Sequence, residues 1–138
     1  MKKYLSTLCA AVLTVSFVSC GESKEKKPDY MSDTFYNAGI KFIDIVDKTI
    51  DVEIDLTTAC DEIKYYEKII DEYITSETDD STGDSTILLI QAITRGMYMD
   101  LLLAESKYQV DSIPPSNFFN ELLEDRNKIA EYFNLEKR

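Results

Sequence analysis

The chain has 138 residues, with 26 acidic side chains against 15 basic ones for a formal net charge of −11, and it contains no histidine. That length supplies one domain's core. The acidity excludes nucleic acid as a partner, because displacing counterions from a polyanion takes clustered Lys and Arg. The missing histidine removes the commonest general base and the commonest metal ligand.

The N-terminus opens with Lys2 and Lys3 and continues as an apolar run from Tyr4 to Val18. A basic start before an apolar stretch too short to span a bilayer is the pattern of a secretory signal. The run closes in Phe17-Val18-Ser19-Cys20-Gly21. This resembles the lipobox of bacterial lipoproteins, with Phe17 at a position that usually carries Leu. The resemblance implies cleavage before Cys20, a diacylglycerol on its thiol and acylation of the new amino terminus. Two or more acyl chains hold a protein stably where one holds it only marginally. The leader, residues 1–19, contains two of the lysines and no acid, so the exported part is more acidic still. An anionic lipid surface repels such a body, which leaves attachment to the acyl chains. Gly21 in place of an aspartate after the cysteine favours the outer membrane over retention at the inner one. Residues 20–32 are then the lipidated cysteine and a polar, flexible tether broken by Pro28, and residues 33–138 form the folded domain.

From residue 34 to about 51, Phe35, Ala38, Phe42, Ile45, Val46 and Ile50 recur at spacings of three and four, the stripe of an amphipathic helix that Ser32 or Asp33 caps. Residues 50–56 alternate like a strand, but a lone strand has nothing to pair with, and a helix–turn–helix junction capped by Asp55 explains them better. The second helix runs to about residue 74 with Ala59, Ile63, Tyr66, Ile70 and Tyr73 inward. Phe35, Phe42, Thr49, Leu56, Ile63 and Ile70 keep one heptad register through the junction, so a single fused helix, three in all, is the alternative. Residues 75–85 are rich in Ser, Thr, Asp and Gly and read as a loop. The third helix, about 86–110, is apolar nearly all round and is expected to be the most buried, with Gly96 at a close crossing or kink. A transmembrane reading is set aside because Arg95 and Asp100 would lie near mid-bilayer. Pro114-Pro115 separate it from a last helix, about 117–134, which buries Phe118 or Phe119, Leu122, Ile129 and Phe133 and turns Glu121, Glu124, Asp125, Lys128 and Glu131 to water. The expected fold is all-α, an antiparallel up-down four-helix bundle.

No catalytic, cofactor or metal site is legible. The acidic loop has no register for an EF-hand, whose twelfth position from Asp79 is Ile90 and from Glu77 is Leu88, and di-iron bundles need Glu-x-x-His pairs. With Cys9 in the leader and Cys20 lipidated, Cys60 stands alone without a base to ionise it and reads as a buried structural thiol. Arg95 is read as the partner of Asp100 or another carboxylate, as a side chain that snorkels to the surface, or as a ligand clamp. Exposed ones among the eight tyrosines left after cleavage, nine less Tyr4, suit a contact surface. The expected function is therefore that of a non-enzymatic envelope lipoprotein binding a protein partner, a basic one by charge, with an immunity or inhibitor role fitting its size. The alternative is small-molecule or peptide binding in the bundle interior. An open apolar groove would favour the first, and an enclosed cavity reaching Arg95 the second.

Overall fold

Four helices make up a computed structural model that describes residues 26–77, 84–108 and 114–138. Cys20, the leader and most of the acidic loop lie outside the described residues. The helices are α1 (Asp33–Ile50), α2 (Leu56–Glu77), α3 (Asp84–Lys107) and α4 (Ser116–Tyr132). Each packs on its neighbours in sequence, and α4 closes the ring against α1. The Phe35 ring lies 4.9 Å from Tyr73 and 5.9 Å from Phe133, whereas Arg126, in the middle of α4, reaches Asp47 near the end of α1. Those pairings run antiparallel, so the arrangement is the up-down bundle.

Capping sets the helix limits. Ser32 accepts a hydrogen bond from the Phe35 amide at 3.2 Å, and Asp55 accepts one from the Thr58 amide at 2.7 Å; each satisfies a donor that the first helical turn cannot. The fused helix does not form. At the end of α1 the Glu53 amide donates to the Lys48 carbonyl at 2.8 Å and the Val52 amide to the Thr49 carbonyl at 3.1 Å, a Schellman turn with Val52 in the left-handed region at φ 58°. Two short helices can each face the ring, whereas one long helix would leave half its stripe in water. Valine holds that backbone at a cost glycine avoids, and Val52 is 58% exposed. Val52→Gly is expected to raise the unfolding free energy by about 1 kcal/mol, read from chemical denaturation, with no packing lost. The same turn ends α4, where Asn134 at φ 55° takes the left-handed position and the Leu135 amide donates to the Ala130 carbonyl at 2.8 Å.

The core unites the predicted stripes: Phe35, Phe42, Val46, Ile63, Ile70, Leu101, Ile129 and Phe133 are all sealed from solvent. Three expectations change. Residues 26–32, read within the flexible tether, are laid on the bundle. Pro28 and Met31 are buried, the Asn134 side chain donates to the Lys26 carbonyl at 3.0 Å, and the Tyr30 hydroxyl donates to the Tyr132 carbonyl at 2.7 Å. Nor is α3 buried all round. Its length and the mean hydropathy of 1.4 over its most apolar 18 residues suit a membrane span, yet one side packs in the core through Ile90, Thr94, Met97, Leu101 and Ala104, while Leu88, Leu89, Met99 and Leu103 stand exposed. A helix in a four-membered ring covers only its inward half, so apolar residues on the other half meet water. Gly96 lies on that outer half with open space where a Cβ would be, not at a crossing within the chain.

Candidate functional site

Between the second half of α3 and the first half of α4 lies a groove of about 230 Å³. Met97, Ala104, Phe118 and Leu122 form its floor, and Leu103 and Pro115 edge it. Its charged rim is Asp100 from α3 with Glu121 and Asp125 from α4, against a single cation, Lys107. The groove is half open, not enclosed, and Arg95 is absent from its lining. Lys128 also reaches Asp125 at 2.7 Å, an exposed pair that salt screens readily. The groove thus joins an apolar floor to an acidic rim, with polar and apolar surface in about equal parts. Among the described residues no cluster of three or more Cys, Asp and Glu side chains can hold a metal ion.

Arg95 and Asp100 do not pair with each other. Five residues along a helix separates them by about 140°, which turns Arg95 toward α2 and Asp100 toward α4. Both are exposed. On the α2 side, burial raises the carboxyl pKa of Glu67, Asp71 adds to the rise, and the guanidinium of Arg95 pulls it back. Gln91 donates to Asp71 and ties α3 to α2 beside them. Cys60 is buried as expected. Burial, then the nearby Glu105 carboxylate, pushes its thiol up to about 12, which leaves on the order of 10⁻⁴ as thiolate at pH 8. Ellman's reagent is therefore expected to leave Cys60 untouched in the native protein and to label it on unfolding; rapid native labelling at pH 8 would show the thiol to be exposed or ionised.

Arg126 was not legible as a structural centre. Its side chain is 8% exposed and grips Asp47 through Nε at 2.9 Å and Nη2 at 2.8 Å, while Nη1 donates to the Glu136 carbonyl at 2.6 Å. Arg138 adds a second guanidinium to Asp47 at 3.1 Å and reaches Asp51 at 2.7 Å. The signal was in the spacing: Leu122, Arg126, Ile129 and Phe133 share one inward stripe. Glu121 faces solvent as its spacing predicts, Asp125 is half-buried, and that both border a groove depends on α3. Compared with family models, curated proteins and solved structures, the chain matches none.

Proposed function

We propose that this is a lipid-anchored, non-enzymatic protein of the bacterial envelope whose groove between α3 and α4 receives a basic, amphipathic segment of a protein partner. The observation that carries the reading is the combination of an apolar floor with a rim of Asp100, Glu121 and Asp125. Apolar burial supplies affinity in such a groove, and the acidic rim supplies orientation and a faster encounter with a cationic partner. The anchor fits this use. Lys26, six residues beyond Cys20, is held at the end of the bundle formed by the start of α1 and the end of α4, so the groove, at the other end, faces away from the lipid.

The test uses the full chain in vesicles of zwitterionic lipid and a fluorescent Lys/Leu helical peptide as probe. Anisotropy is expected to report binding that weakens at high salt and falls by roughly tenfold or more in Glu121→Lys/Asp125→Lys, from two reversed charges. Equal binding by wild type and this variant rules out the groove. Cys20→Ser is expected to move the protein out of the membrane fraction; unchanged fractionation and mass would remove the anchor.

A further inference from the structure

We propose that the outer face of α3 pairs two copies of this chain in parallel, through a short coiled-coil seam closed by reciprocal Arg95–Asp100 ion pairs. The outward residues Ser85, Leu89, Ala92, Gly96, Met99 and Leu103 are all exposed and follow one another at spacings of four, three, four, three and four. That is the alternation of a helix–helix seam, with Leu89, Gly96 and Leu103 at the a positions and Ser85, Ala92 and Met99 at the d positions.

Leu89 is 45% exposed, Met99 51% and Leu103 62%, with Leu88 beside them at 47%. These side chains make an apolar patch on the order of 300–400 Å², within the range of the largest patch that a typical monomer exposes and often a functional one. It is about half of the surface one partner gives to a standard interface. At Gly96 no atom of the chain lies within 4 Å of a would-be Cβ, and Ala92 is one turn away, so two helices can cross there with their backbones close. Leu89, Met99 and Leu103 then fill the space that widens on either side.

Charge selects the occupant and its direction. In this register Arg95 is a g position and Asp100 the e position of the next heptad. A parallel second copy sets each Arg95 opposite the other chain's Asp100, the g–e′ pairing that fixes partner choice. Neither residue has an ion pair within its own chain among the described residues. An antiparallel copy would set Arg95 against Leu88 and Leu102, and Asp100 against Thr86 and Ile93, leaving both charges unmatched. A basic partner would find no net acidic field on this face, where Arg95 balances Asp100, the one carboxylate it shares with the rim of the groove beside it. Parallel pairing also keeps both Lys26 ends on the same side, as two anchors in one membrane require.

Sedimentation equilibrium of the processed, lipid-bearing protein in density-matched non-ionic detergent is expected to give twice the single-chain mass that mass spectrometry reads. Arg95→Glu is expected to weaken association by about tenfold or more, because each new glutamate faces an aspartate. Adding Asp100→Lys to it is expected to restore the dimer, with circular dichroism unchanged throughout. Gly96→Cys is expected to cross-link to itself on mild oxidation, since a positions meet their own copies in a parallel pair. A single-chain mass at about 100 µM, which is weaker than useful pairing, overturns the proposal; so does a dimer indifferent to charge reversal or one in which Gly96→Cys does not cross-link. Glu121→Lys/Asp125→Lys, which disables the groove, is expected to leave the dimer intact, so the two proposals fail separately.

Discussion

Arg126→Leu is expected to lower the unfolding free energy by about 3 kcal/mol and the melting temperature by roughly 10 °C or more. The wild-type guanidinium is nearly sealed from water and satisfied on three sides by Asp47, the Glu136 carbonyl and Asn127. Removing it strips Asp47, itself only 24% exposed, of its bidentate partner. Arg138 remains on Asp47 at 3.1 Å, which keeps the loss at the lower end of what orphaned buried charges cost. The carboxyl tail should loosen in the same variant, because the Glu136 carbonyl loses its donor, and amide exchange over residues 134–138 reports it. The double variant Arg126→Met/Asp47→Leu is expected to recover most of the stability, since taking both charges away leaves nothing unpaired. Urea denaturation decides the matter: a loss under 1 kcal/mol for the single variant would mean that water already solvates the pair.

Gly39→Ala is expected to destabilise the protein by about 1–3 kcal/mol, although alanine is the better helix former by about 1 kcal/mol. The Cβ it adds would overlap the ring of Phe133. That ring is sealed from solvent and stacked against Phe35 at 5.9 Å and Tyr36 at 5.7 Å, so it has nowhere to swing. Phe133→Ala should cost about 3–5 kcal/mol by opening a cavity between α1 and α4. Combining Gly39→Ala with Phe133→Leu should cost less than the sum of the two single changes, because the smaller side chain makes room for the methyl. Thermal melts of Gly39→Ala, Phe133→Leu, their combination and Phe133→Ala check this, and a Gly39→Ala protein more stable than wild type would show that Phe133 can move aside.

Much of the architecture was written in local chemistry. Apolar spacing on α1 and α2 marked the residues that meet in the core, and Asp55 marked where α2 starts, because amphipathic periodicity and capping are properties of consecutive residues. The acidic balance and the Cys20 motif are likewise carried by the sequence without help from folding. Other features needed the packed ring. Gly39 and Gly96 look alike in sequence, yet one lies under an aromatic ring and the other faces open space, because only the placement of α4 distinguishes the two surroundings. Arg126 shares the polar type of Lys128 but occupies the inward stripe, and Asp47, 79 residues away, is what makes that position tenable. The groove belongs to neither α3 nor α4 alone: Met97 and Ala104 of one and Phe118 and Leu122 of the other line it together. The uniform hydrophobicity of α3 is the sharpest case. Sequence determines that the helix is apolar on every side, but a ring of four helices can cover only one of those sides, so tertiary structure alone decided which leucines face water.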